Sequence, residues 1–273
     1  MKNFTAQKNI KLSKFLSEQY GASMPYSTFR KLLRNKDIKI NGIRVKDDVV
    51  LNANDNVTVY FDGDNAVYTP IFTKKGVFVF HKPPTICSED FEKEVNKASL
   101  NLKLCHRLDR NTSGLIVLAN DEKAYLEMLS AFKKRTVEKY YIAEVYGKLP
   151  SESGRLNSYL KKDGEKGLVK IYDNKVEGSV NIITEYKVLS EREKTTVVEV
   201  KLITGKTHQI RAHFAHIGNF IVGDGKYGDN KINKELNLKR QHLTAYKIKF
   251  NFNKEDYLYP LNNVEIKLDD ISF

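Results

Sequence analysis

Tryptophan is missing from this 273-residue chain, and cysteine (2), methionine (3) and proline (6) are scarce. Two cysteines, Cys87 and Cys105, cannot build the disulfide framework of a small secreted domain, so a reduced, cytoplasmic chain is expected. Long apolar runs are missing too. The longest clean one is Leu115 to Ala119, against the about 20 residues a membrane helix needs. The opening MKNFTAQKNI has no apolar stretch of signal-peptide type. There is no low-complexity tract and no repeat in the range of about 20–50 residues, which excludes solenoids and repeat arrays.

What is present is an ordinary globular balance, 41% hydrophobic and 29% charged, enough to bury a core and to exclude disorder. Acid is in deficit: 34 Asp and Glu stand against 46 Lys and Arg, a net charge of +12. A cytosolic protein this basic often meets a polyanion, of which nucleic acid is the commonest, although an inert basic surface gives the same number.

Composition changes near residue 62. Before it, Leu12, Phe15, Leu16 and Tyr20 recur at helical spacing, and Ser27 is placed to cap a second helix with Phe29, Leu32 and Leu33 inward. Then IKINGIRV puts Asn41-Gly42 between alternating apolar residues, the strongest local hairpin signal, and Val57, Val59 and Phe61 alternate as a closing strand. Residues 63–75 read as a linker rich in turn formers, between a first domain over 1–62 and a second over 76–273. In the second, strands are expected at 76–80, 114–119, 139–147, 195–203 and 245–252. Two helices interrupt them, one capped by Asp121 and burying Tyr125, Met128, Leu129 and Phe132, the other at 207–218 and ended by Gly218. Strands without βα alternation predict an α+β fold with a mainly antiparallel, mixed sheet.

Two stretches carry chemistry. Residues 1–62 hold eleven Lys and Arg against six Asp and Glu, with Arg30, Lys31, Arg34, Lys36 and Lys39 on or just after the second helix and Arg44 on the hairpin. Such a run is usually a solvated face. In CHRLDRNTSGLIVLAN (105–120), Asp109 precedes a Thr-Ser-Gly turn that feeds an apolar strand, with Arg107 and Arg110 on either side. Nearby positive charge keeps a carboxylate ionised, and an ionised carboxylate at a strand entrance can serve as nucleophile or base. A surface ion pair beside a turn would look the same.

The order helix-helix-hairpin over 10–61 resembles the small S-four-like RNA-binding domain, which implies that those six basic side chains face RNA. HRLDRNTSGL resembles the active-site motif of the RluA-type pseudouridine synthases. The resemblance implies that Asp109 is the catalytic nucleophile and that Arg107 helps displace the target base. Three further blocks follow in the family's order. HKPP (81–84) matches its Lys-Pro motif on Lys82 and Pro83, with His81 where Asn is usual. KYYIAEVYG (139–147) places the active-site tyrosine on Tyr141. VKLITGKTHQIRAHF (200–214) places an apolar base neighbour on Leu202 and the nucleophile's partner on Arg211, and His208 falls in its substrate-binding stretch. Lys206 stands where the family has arginine, which keeps charge but loses the bidentate fork. Thr244 stands where it has histidine. A pseudouridine synthase fold, RNA as substrate and no cofactor are implied, because the isomerisation brings in no electrons or groups.

The expected substrate is large-subunit ribosomal RNA, with transfer RNA or a non-catalytic ribosome-assembly role as alternatives, no membrane partner, and a monomeric state. GDGKYG (223–228) matches G-x-G-x-x-G, but no apolar helix follows it, so no dinucleotide site is expected. His208, His213 and His216 fall on different sides of a helix and predict no metal site. The sequons at Asn56 and Asn111 are meaningless in a cytosolic chain.

Overall fold

A computed structural model describes residues 2–20, 26–60, 68–97, 100–163, 167–238, 240–269 and 271, and only the backbone of Lys2, Tyr26, Ser27, Thr28 and Lys31. The cap expected of Ser27, the Lys31 side chain and the strand residue Phe61 therefore lie outside the described residues. The chain forms two compact units, Met1–Val67 and Tyr68–Phe273.

The first unit runs β1 (Lys2–Thr5), β2 (Ile10–Lys11), α1 (Leu12–Tyr20), α2 (Tyr26–Arg34), β3 (Ile38–Ile40), β4 (Ile43–Arg44), β5 (Val50–Leu51) and β6 (Asn56–Val59). The apolar stripes of α1 and α2 are buried against β3, β5 and β6 through Ile38, Leu51, Val57 and Val59. Asn41 and Gly42 both have positive φ (49° and 82°), the geometry that lets a two-residue turn follow the strands' right-handed twist. The strand order is β1-β6-β3-β4, with β2 and β5 paired separately.

The second unit comprises β7 (Phe72–Lys74), β8 (Val77–Lys82), α3 (Ser88–Asn96), β9 (Lys103–Leu104), β10 (Ser113–Ala119), α4 (Glu122–Lys134), β11 (Val137–Tyr146) and β12 (Ser153–Asp163). It continues through β13 (Leu168–Tyr172), β14 (Val180–Glu191), β15 (Thr195–Leu202), α5 (Gln209–His216), α6 (Asn230–Glu235), β16 (Leu243–Phe250) and β17 (Glu265–Lys267). One sheet runs β13-β12-β14-β15-β11-β16-β10-β8-β7, antiparallel except where β10 meets β16. β10 explains the apolar run at 115–119. Leu115, Val117 and Ala119 pack with Met128 of α4 on one face, while Ile116 and Leu118 pack with Phe91 of α3 and Phe214 of α5 on the other. A strand covered on both faces has no polar side to show.

Three expectations are corrected. Residues 72–74 form β7, hydrogen-bonded to β8, so the segment read as linker ends before them. The polar alternation of β12, β13 and β14 hid one end of the sheet, and α3 hid because SEDFEKEVN buries little beyond Phe91 and Val95. In α4 the burial lies on Ala124, Met128 and Ala131, with Leu129 exposed and Tyr125 and Phe132 half-buried, because short residues let the helix sit closer to the sheet. Asp121 caps α4 as expected, its carboxylate accepting from the Ala124 amide at 2.7 Å. Among the described residues no helix is long and apolar enough to cross a membrane.

On the face of β11 away from Tyr141, Glu144 accepts hydrogen bonds from Thr195, Arg192 and His242 at 2.6 to 2.8 Å. These bonds, the one from His242 foremost, outweigh burial and hold the Glu144 carboxyl at about 2. A carboxyl depressed in the folded state stabilises it above the unfolded value, and that contribution is lost as pH falls from the ordinary carboxylate range through about 2. Thermal midpoints of Glu144→Gln measured against pH should therefore show a flatter acid limb than the parent. Parallel limbs would mean that Glu144 contributes nothing there.

Candidate active site

Asp109 lies in the turn that feeds β10, and three elements fix that turn. From α3, Ser88 Oγ accepts from the Leu108 amide at 2.9 Å and donates to the Leu108 carbonyl at 3.0 Å. From β16 and the residues just before it, Gln241 Nε2 donates to Thr112 Oγ1 at 2.7 Å, and the hydroxyls of Ser113 and Thr244 pair at 2.8 Å. From β8, the fully buried Lys82 ammonium donates to the carbonyls of Pro83, Ile86 and Arg110 at 2.8 to 3.2 Å. Burial pushes Lys82 down to about 8, against the pull of Asp109. This corrects the expectation that Lys82 meets substrate: its three protons are used inside the protein, tying the Asp109 turn to the loop after β8. Gly114 is required at the join. Its φ is 117°, and a Cβ there would stand 2.1 Å from the Ala245 carbonyl oxygen.

Arg211, on the first turn of α5, is buried and bridges two carboxylates. Its Nη1 donates to Asp109 Oδ2 at 2.8 Å, and its Nε and Nη2 fork onto Asp224 at 2.7 and 2.9 Å. Asp224 is fully buried and also accepts from the amides of Lys226 and Tyr227. Burial pushes its carboxyl up, but Arg211 and the two amides outweigh that and hold it below the usual range. Asp109 is different: a quarter of its side chain, 24%, is open to solvent against 7% for Arg211. One carboxylate fixes the guanidinium, and the other is presented by it.

His208 caps α5 in the left-handed region (φ 55°). Its Nδ1 lies 2.9 Å from the Tyr227 hydroxyl, which itself accepts from the Val169 amide at 2.9 Å. If the Tyr227 hydroxyl donates to Nδ1, the ring proton is on Nε2, which lies 4.0 Å from Asp109 Oδ2. Desolvation pushes His208 down, the Asp109 charge notwithstanding, which favours the neutral ring. Tyr141 on β11 is buried in the same apolar cluster as Leu108 and Ile210, with Leu202 packed against it. Burial, then the Asp109 charge, push its phenol well up.

The structure thus brings Asp109, Arg211, His208 and Tyr141 together, with Leu202 in the wall. Arg107 lies on the rim, three-quarters exposed and paired with Glu89 at 2.8 Å, so it does not flank the carboxylate as its position in sequence suggested. Lys206 is exposed in the loop before α5. In the first unit, Lys39 and Arg44 both lie over the Tyr60 ring, 5.4 and 5.1 Å away, and Arg44 donates to the Lys36 carbonyl. Arg30 and Arg34 are exposed on α2. His213 is buried against Thr184 and His216 pairs with Asp173, so the three histidines are not gathered. Sequence reasoning missed Asp224, Tyr227 and Gln241. The first two belong to the G-x-G-x-x-G decoy, whose Gly223 passes so close to Arg240 that a Cβ would meet its carbonyl oxygen at 1.8 Å.

Residues 75–216 match the family model described as RNA pseudouridylate synthase. A protein of Mycoplasma capricolum named as an uncharacterised RNA pseudouridine synthase is 30% identical over 99% of this chain and 98% of its own length. The ribosomal large subunit pseudouridine synthase C of Vibrio parahaemolyticus is 33% identical over 62% of this chain, a match that spans about half, 54%, of that protein. Among solved structures, human RNA pseudouridylate synthase domain containing 1 superposes with a TM-score of 0.66 over 77% of this chain and 86% of that one, at 23% identity, which shows a shared fold.

Proposed function

The chain belongs to the RNA pseudouridylate synthase family, and we propose that it isomerises particular uridines of large-subunit ribosomal RNA to pseudouridine with Asp109 as the acting group. The observation that carries this reading is the bridge Asp109–Arg211–Asp224: a partly open carboxylate, paired with and aimed by a buried guanidinium. The reaction detaches uracil from its ribose, turns it and rejoins it through carbon 5. A carboxylate beside the ribose is the one ionised group this requires. The target base leaves its stack at a cost of a few kcal/mol, offset by contacts in the pocket. Tyr141 and Leu202 supply an apolar wall for it, and Arg107 on the rim takes its place in the helix or guides it out. Tyr141, its phenol pushed up, stays neutral and acts as a ring beside the base. His208 directs Nε2–H at Asp109 or at the uracil edge. Support for the ribosomal substrate comes from the names of relatives such as the Vibrio parahaemolyticus synthase.

Position-resolved pseudouridine mapping in cells with and without the gene tests the substrate. One or more large-subunit sites should vanish and return on complementation; loss of transfer-RNA sites alone would redirect the assignment.

The first unit is proposed to grip RNA in the manner of an S-four-like domain, through Arg30, Lys31, Arg34, Lys36, Lys39 and Arg44. Changing Arg30, Arg34, Lys39 and Arg44 together to glutamine should flatten the log–log fall of RNA affinity with salt by about 0.7 to 0.9 for each phosphate no longer neutralised. An unchanged slope would mean that this face does not touch phosphates.

A further inference from the structure

One groove of about 400 Å³ in the second unit has no part in the chemistry above. Lys161, Lys162, Gly178, Val180, Gly205 and Lys206 border it. Its shape follows from strand lengths. β12 pairs with β14 as far as Leu160 opposite Val180, then runs on to Asp163 without that neighbour. The open corner faces the turn at Gly178 and the loop Gly205–Thr207 that leads into α5.

The described residues that border this groove carry charge of one sign. Lys161, Lys162 and Lys206 are exposed, and among the described residues none of them has a carboxylate partner. The nearest acid along β12, Asp163, is taken by Lys170 at 3.6 Å. A fourth lysine stands against the same loop: Lys139 Nζ lies 3.0 Å from where a Cβ on Gly205 would be. Lys139 also lacks a carboxylate partner among the described residues, and burial pushes it down to about 8. Ammonium groups without a carboxylate of their own can be joined by an anion, and the two glycines let lysines lie against the backbone: a Cβ at Gly178 would stand 3.7 Å from Lys161 Cε. The groove also adjoins the site. Thr207 on its wall is followed by His208, and Leu160 packs in one cluster with Ala212 of α5 and Tyr227.

We infer that this groove binds a backbone phosphate of the RNA strand beside the target nucleotide, with Lys161, Lys162 and Lys206 as its cations. The inference rests on the function proposed above and adds a subsite to it. A phosphodiester gripped here fixes the strand on one side of the flipped uridine, while the pocket at Asp109 holds the base. A lysine at 206 is sufficient, because a point charge serves a phosphate that several ammonium groups share.

The test compares Lys161→Gln with Lys162→Gln, made together, against a control of equal charge change, Lys187→Gln with Lys254→Gln, at two exposed lysines away from the groove. The probe is unmodified large-subunit ribosomal RNA made by transcription. Relative to the control, the groove variant should bind about tenfold more weakly near physiological salt, with a log–log salt slope lower by about 0.7, the one shared phosphate of a single strand. Added inorganic phosphate at constant ionic strength should leave wild-type affinity unchanged. Equal affinities and slopes for groove and control variants overturn the subsite. Displacement of RNA by inorganic phosphate overturns it as a strand-specific site. Wild-type conversion of the same RNA to pseudouridine is followed in parallel. Its absence counts against the proposed function, while the affinity comparison still decides the groove.

Discussion

Asp109→Asn is expected to lower the rate of pseudouridine formation by about 10⁴-fold or more, the scale seen when the acting group of a covalent catalyst is removed, while RNA affinity and thermal midpoint stay close to the parent. Asparagine keeps the size and the acceptor oxygen that meets Arg211 Nη1 at 2.8 Å. It removes only the negative charge and the nucleophilic oxygen. Single-turnover assays at saturating RNA, with pseudouridine quantified directly, separate this from a binding defect. A variant that turns over within about tenfold of wild type would remove Asp109 from the chemistry.

The second large effect belongs to Arg211. Arg211→Ala leaves the fully buried Asp224 without its cation. Breaking a buried pair on one side costs about 3–5 kcal/mol, which for a domain of this size lowers the thermal midpoint by roughly 10 °C. Activity should fall as well, because the guanidinium that aims Asp109 is gone. Two further variants separate these losses. Arg211→Met with Asp224→Asn removes both buried charges and should recover most of the stability and none of the activity. Arg211→Lys keeps one positive charge, but a single ammonium cannot fork onto Asp224 and reach Asp109 together. It should fold and turn over slowly. Full activity in the Met–Asn double variant would show that the bridge serves stability alone.

Local patterns carried much of this architecture. The stripe of Leu12, Phe15, Leu16 and Tyr20, the Asn41-Gly42 hairpin and the doubly covered β10 are each written within a few neighbouring residues, and each lies where its pattern placed it. The strands β12 and β14 were not legible, because a strand with one wet face and little apolar repetition looks like loop. The site divides the same way. HRLDRNTSGL and HQIR could be recognised as motifs, yet nothing local says that Arg211 is shared between Asp109, 102 positions away, and Asp224, 13 positions on. Asp224 was hidden inside a glycine-rich stretch that matched an unrelated motif. Arg107 misled in the opposite sense. Two residues from Asp109 in sequence, it pairs with Glu89 on α3, because the stretch before β10 is irregular backbone in which sequence spacing fixes no common face. Lys82 was found by motif and assigned to substrate, and only burial reveals that its three protons go to backbone carbonyls.

The central claim is that this chain, with no added cofactor, turns uridine into pseudouridine at Asp109. It is tested most directly by incubating purified wild-type protein and Asp109→Asn with transcribed, unmodified large-subunit ribosomal RNA after exhaustive treatment with chelator, then mapping pseudouridine at single-nucleotide resolution. The account predicts conversion at one or a few defined uridines by wild type and none by the variant. Conversion by both proteins, or activity that appears only when a metal ion or nucleotide cofactor is restored, would contradict it.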